Sequence, residues 1–401
     1  MSGPDRMHRI DRLLLLCVLT LAPVVYPADW SGNLAIEARG FPSSAQWPEQ
    51  RSEGLSFSFQ PELRHRWQDG DRGLTFIPFV RLDSLDEERT HVDIRELNYL
   101  HLAGDWEIRA GIDKVFWGVV ESQHLVDIIN QKDLIENIDG EDKLGQPMVR
   151  VTKLLEQGAL DLFLLPWFRE RTFPGRKGRL RTPLVVATDQ ARYESDRKQQ
   201  HPDYALRWSH THGPVDLALS WFQGTTRGPV LVPGTKNGAS VLIPFYPLLR
   251  QAGLEFQYTG EAWLWKLEAV HRETGEKDYQ AVVGGFEYTL VGIRDTPLDL
   301  GLLAEYHRDS RGLDASSPLQ NDLFIGTRLT FNDTESSEVL AGGIFDLDHD
   351  SKSFRLEASR RIGQDYKLSI EGQLFSAIDP RDPLAAFATD DFIRVELTRY
   401  F

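Results

Sequence analysis

The chain has 401 residues, with 60 acidic against 45 basic side chains and a formal net charge of −15 at pH 7. An acidic balance of this size argues against a nucleic-acid partner. The one cysteine, Cys17, lies in an N-terminal apolar run, so once that run is removed no disulfide or thiol chemistry is left.

Residues 1–28 have the form of a signal peptide. Arg6, Arg9 and Arg12 precede the apolar run 13–25. That run is too short to span a bilayer as a helix but has the size of a secretory core. Cleavage is expected after Ala28. No later run is long enough for a transmembrane helix. Residues 29–401 instead alternate apolar and polar side chains almost throughout. A strand sends successive side chains to opposite faces, so each segment has one oily and one wet wall. An oily wall towards lipid and a wet wall towards water is the pattern of a membrane β-barrel.

In chain order, strands are expected at 31–40, 55–67, 74–83, 91–103, with a bulge in the last, and 106–116. In 55–67, Leu55, Phe57, Phe59, Leu63 and Trp67 face out, while Ser56, Ser58, Gln60, Glu62, Arg64 and Arg66 face in. Strands resume at 148–155, 160–168, 204–209 and 215–222, then 252–258, 263–269, 279–290, 298–306, 323–331 and 339–347. Three more close the chain, around Phe354–Leu356–Ala358, over 365–375 and over 393–401. The total is about eighteen antiparallel strands, an even number as single-chain outer-membrane barrels show. Short connections (68–73, 104–105, 156–158, 212–213, 259–262, 332–337, 362–365) alternate with long ones. Short periplasmic turns and long outer loops give that asymmetry. In lipid only a closed sheet pairs every backbone group, so an all-β closed transmembrane barrel is the expected fold. Trp67, Trp106, Trp208, Trp221, Trp263, Tyr306 and Tyr366 fall near strand ends, where interfacial aromatics belong.

The stretch 117–147 breaks the alternation. One or two short helices are expected over 122–137. A loop of this size at a barrel mouth either folds into the lumen or packs on the rim. Folded inward, Glu121, His124, Asp127, Asp133 and Glu136 make an acidic, cation-favouring constriction. Around it the inner wall carries mixed charge, including Arg64, Arg66, Arg109, Arg355, Glu371 and Arg394. Within the stretch, Trp117, Gly118, Glu121 and Ser122, then Asn130 and Asp133, then Gly145–Gln146–Pro147–Met148 resemble a group of large, porin-like outer-membrane proteins of Gram-negative bacteria. That group is loosely similar to alginate-export-type channels. The resemblance implies a barrel and a transport role, and names no substrate.

Arg169, Arg171, Arg176, Lys177, Arg179 and Arg181 crowd one outer loop with a single acid, Glu170. Arginine suits anionic solutes or lipopolysaccharide phosphates, and the bland alternative is a solvated basic loop. Asp346, Asp348, Asp350 and Glu357 have calcium-loop spacing, but Ser351 replaces the turn glycine, so a hairpin tip is the better reading. His210 and His212 share a strand face and are too few for a metal site. No GxSxG, HExxH, GxGxxG or phosphate-cradling loop is present, and no cofactor is implied.

The expectation is an outer-membrane channel for passive diffusion of small hydrophilic solutes, not an enzyme. Two alternatives stand beside it. One is a surface-binding or adhesion barrel acting through its long loops. The other is a membrane enzyme, which would need a Ser–His or carboxylate pair facing one another on the wall. The expected partners are outer-membrane lipid and lipopolysaccharide, small solutes, and the barrel-assembly machinery through the last strand ending in Phe401.

Overall fold

A computed structural model of the chain describes residues 28–275, 277–315 and 317–401. The segment 1–28, expected to be a signal peptide, therefore lies outside the described residues but for its last. Eighteen strands form one closed sheet. They begin with β1 (Asp29–Gly40), β2 (Glu53–Trp67), β3 (Arg72–Asp83), β4 (His91–Ala103), β5 (Trp106–Asp113), β6 (Gln146–Leu155) and β7 (Gly158–Leu165). The short β8 (Arg192–Tyr193) stands outside the barrel, which continues with β9 (Asp203–His212) and β10 (Val215–Thr225). A second excursion holds β11 (Val230–Lys236) and β12 (Ala239–Tyr246). The wall then runs through β13 (Leu248–Thr259), β14 (Trp263–Thr274), β15 (Tyr279–Leu290), β16 (Asp299–Asp309) and β17 (Asn321–Thr330). It ends with β18 (Glu338–Asp346), β19 (Lys352–Ile362), β20 (Tyr366–Ser376) and β21 (Phe392–Tyr400).

Each wall strand is antiparallel to the next, and β21 pairs back onto β1 from Asn33↔Tyr400 to Gly40↔Ile393. Phe401 finishes the seam, exchanging two backbone hydrogen bonds of 3.1 Å with Gly32. No sheet edge remains to face lipid, which is what an apolar solvent demands of a spanning sheet.

Side-chain alternation sorts the two walls. Ile36, Leu55, Leu82, Leu219, Ile325 and Leu374 are exposed on the outside. Glu37, Ser58, Arg81, Glu255, Glu268, Glu305 and Glu371 are buried on the inside. Trp67, Trp106, Trp263 and Tyr366 stand at strand ends on the short-turn rim. The expected bulge in 91–103 is real and falls at Arg95, where the β3–β4 register shifts.

Two expectations fail. No helix forms over 122–137, which is irregular. At its start the N–H groups of Ser122 and Val126 are taken by the wall carboxylates Glu305 and Glu268, and further on Asp133 N–H goes to the Asp142 carbonyl, so these donors do not bond carbonyls four residues back. The Gly/Pro-rich stretch 224–247, read from the sequence as a loop between the strands expected at 215–222 and 252–258, holds the β11–β12 hairpin, which pairs with β8 as a separate three-stranded sheet. Asn237 and Gly238, both at positive φ, make its turn. Asn-Gly between two apolar runs is a strong hairpin signal, although Pro233 and Pro244 inside the runs weaken the strand pattern.

Candidate functional site

The long β5–β6 connection, residues 114–145, crosses the barrel interior. Its first half is held by carboxylates from the inner faces of three strands. Glu255 on β13 accepts from the Gly118 N–H at 3.2 Å. Glu268 on β14 accepts from Val119 at 2.7 Å, Val120 at 3.2 Å and Val126 at 3.2 Å. Glu305 on β16 accepts from Glu121 at 2.7 Å and Ser122 at 2.9 Å. A carboxylate offers several lone pairs, so one side chain satisfies several peptide groups that an irregular segment would leave orphaned. Beneath these bonds Trp117, Val120, Val126 and Ile129 pack on Met148, Phe163, Phe222 and Val283 of the wall.

The second half reaches the opposite wall through ion pairs. Arg95 holds Asp133 at 2.7 Å, and Arg81 holds Glu136 at 2.8 Å. Arg89 donates to the Ile135 carbonyl at 2.9 Å. Asn137 donates to Glu371 at 3.2 Å, and Arg355 pairs with Asp139 at 2.6 Å. Asn130 ties both ends of the loop together. It accepts from Val115 N–H and donates to the carbonyls of Asp113 and Leu144, each at 2.9 Å.

These contacts separate the expected constriction residues into two groups. Asp127, Asp133 and Glu136 lie in the interior but are buried anchors, with Asp127 closed off by Lys143. Glu121 pairs with Arg328 at 2.8 Å and stays part-exposed. His124 lies between Glu141 at 3.4 Å and Glu268 at 3.7 Å. The acids of the loop that reach solvent most are Glu141, beside His124, and Asp142, neither of which stood out in the sequence. Asp142 touches solvent yet is ringed by protein. Burial, then the nearby Glu136 and Asp139 charges, push its carboxyl up to about 7. Facing the loop, Arg355 also pairs with Glu371 at 3.1 Å, and Arg394 pairs with Glu371 at 2.7 Å. Arg64 and Arg109 point inward and are neutralised by Glu62 and Glu107 on their own strands. Arg66 lies opposite Gly73 near the short-turn rim.

The basic loop spends most of its charge inside the protein. Arg169 pairs with Asp93 at 2.9 Å, and Arg171 donates to Gln131 at 3.4 Å. Arg179 and Asp390 pair at 2.6 Å, both side chains at 0% exposure. Arg181 donates to the carbonyls of Thr182 and Pro183. Arg176 and Lys177 alone among the six remain substantially exposed, 3.7 Å from Glu49 and Glu87 respectively. Through Arg179 the loop is fastened across the long-loop mouth to the β20–β21 connection.

Among the described residues two clusters have metal-like geometry, His91–Asp133–Glu136 and Asp139–Glu357–Glu371. Arg95 and Arg81 already neutralise the first, and Arg355 the second. His210 and His212 face outward, stacked with Trp208. A serine–histidine pair does occur, Ser122 Oγ to His307 Nε2 at 2.6 Å. The same hydroxyl also meets Glu305. The hydroxyl donates to that carboxylate, so its proton is not directed at His307. A nucleophile has to give its proton to the base, so the arrangement is a clamp on the loop.

No family model matches the chain, and no curated protein matches it. Solved structures do. OccK5 (OpdH) of Pseudomonas aeruginosa superposes with a TM-score of 0.55 at 9% identity, covering 93% of this chain and 98% of that one. OpdQ of the same organism gives 0.54 at 9% identity, with 94% and 99% covered. OccK11 (OpdR), also from P. aeruginosa, gives 0.53 at 11% identity, with 93% and 95% covered. The likeness is one of fold. It extends over nearly the whole of each chain, and the barrel is a closed transmembrane one.

Proposed function

We propose that this protein is an outer-membrane channel of a Gram-negative bacterium, through which small hydrophilic solutes diffuse passively. One observation carries the reading. A single loop is bolted across the bore from β13, β14 and β16 to β3, β4, β19 and β20, and at its turn it carries two solvent-exposed acids, Glu141 and Asp142. Infolded acid opposite wall arginine is an arrangement that sets size and charge preference in a water-filled passage. Strand number supports the reading, since porins of sixteen to eighteen strands leave an aqueous channel. The whole-chain fold likeness to outer-membrane barrels of P. aeruginosa supports the location and the channel role. The finer resemblance to alginate-export-type channels rests on the motif in 117–148 alone.

The decisive experiment is current through a planar bilayer holding the folded protein, followed by the reversal potential in a salt gradient. Discrete conductance steps with cation preference are expected. Flat traces from a sample verified as folded reject the channel.

A further inference from the structure

The wall is broken beside β3. The β2–β3 ladder runs to Phe59↔Val80 and resumes only at Leu63↔Phe76. The register on either side of the gap sets Pro61 opposite Pro78. On the other flank of Pro78 the β3–β4 pairing slips by one residue at Arg95. Unpaired peptide groups are costly in a wall facing lipid, and prolines are confined to edges and bulges because they lack a donor. Two prolines facing one another remove two donors that such a gap would orphan.

A pocket of about 730 Å³ opens at this break. Its apolar lining includes Phe59, Val80, Ile94, Ile112 and Trp167, from the outward face and the adjoining loop. The inward-facing Phe79, only 8% exposed, closes it towards the lumen. Its two charged lining residues are Asp93 and Arg169, paired at 2.9 Å.

We propose that this pocket is a binding site for a single-chain anionic amphiphile, its hydrocarbon tail in the wall cleft and its acidic head on Arg169. The volume lies within the roughly 300–1,000 Å³ range of small-ligand sites, with the usual apolar lining and few polar groups. The mouth is on the lipid side, so a tail enters without crossing water. Asp93 is also held by Arg95 at 3.2 Å, and the other Arg169 nitrogen is kept in place by the Gly145 carbonyl at 2.8 Å. Arg169 can therefore turn to a ligand carboxylate without leaving Asp93 unpaired. The inference is independent of conduction through the bore.

The test uses the full protein in dioleoylphosphatidylcholine vesicles. The emission of Trp167, taken as the difference from Trp167→Phe, is titrated with dibrominated stearic acid, its methyl ester and dibrominated phosphatidylcholine. A saturating loss is expected for the acid, at least about tenfold tighter than for the ester. Arg169→Gln should abolish that difference while leaving ester quenching intact, and Ile94→Phe, which fills the cleft, should weaken both. Equal, unsaturable quenching by all three probes would mean bulk lipid contact and overturn the site. Saturation without preference for the acid would overturn the role of Arg169.

Discussion

Glu268, on the inner face of β14, accepts a 2.7 Å hydrogen bond from the backbone N–H of Val119, at the head of the loop that crosses the bore. The contact depends on Gly118, whose φ is +125°. A Cβ there would lie 2.7 Å from the Glu268 carboxylate and 2.6 Å from His124. Gly118→Ala should therefore push the loop off the wall. Each orphaned peptide donor costs about 1–3 kcal/mol. The expected outcome is a lower urea midpoint together with larger and noisier conductance steps. Glu268→Gln, which keeps the shape and loses the charge, should show the same change more weakly.

The acids that set ion preference are expected to be the exposed pair and not the buried ones. Glu141→Gln with Asp142→Asn should reduce cation preference, read as a shift in reversal potential, with little change in stability. Asp133→Asn should do the opposite, costing stability because Arg95 loses its 2.7 Å partner. Asp142 also predicts a pH dependence. With its carboxyl pushed up to about 7, it is neutral below that value and charged above. Cation preference should therefore rise as pH rises through about 7, and Asp142→Asn should flatten that step.

His124 gives a second pH dependence of opposite sense. Hydrogen bonding to Glu141 first, and to Glu268 next, raises its pKa to about 9. The unfolded value is about 6.5, so the charged ring contributes its full stabilisation below about 6.5 and loses it as pH rises through about 9. Glu141 is 56% exposed, so its part of the effect is screened and most of the stabilisation rests on the buried Glu268. Conductance noise should increase between pH 7 and 9.5 in the native protein, and His124→Asn should be noisy throughout.

The barrel was legible because period two is enforced by its two solvents. Each of the eighteen expected strands has its counterpart in the wall, since a one-residue slip would turn charge to lipid. The motif residues were legible as a group and not in role. Trp117, Gly118, Ser122, Asn130 and Asp133 turn out to fix the loop to the wall, Asn130 through the Asp113 carbonyl at the end of β5. What escaped was which acids stay free. Asp133 and Asp142 look alike in sequence, and long-range partners, Arg95 38 residues before Asp133 and Thr172 39 residues after it, decide that one is buried. The basic loop escaped for the same reason. Its main counter-charge, Asp390, lies 211 residues away from Arg179.

That pair supports the last prediction. Arg179 Nε meets Asp390 Oδ1 at 2.6 Å, and Arg179 donates to the carbonyls of Ser43 and Thr389 as well. Its guanidinium lies 4.7 Å from the Phe41 ring centroid, among Phe41, Leu180 and Phe392. Asp390 in turn accepts from the Leu180 N–H. Removing one partner of a buried pair leaves an uncompensated charge and costs about 3–5 kcal/mol. Arg179→Ala should therefore release the 166–202 connection from the mouth, read as new proteolytic cleavage within it, while the membrane-embedded strands stay protected. Arg179→Met combined with Asp390→Leu removes both charges and keeps apolar bulk, so it should restore most of the protection. If the single variant is as protease-resistant as the native protein, the loop is held by its apolar contacts and the ion pair is incidental.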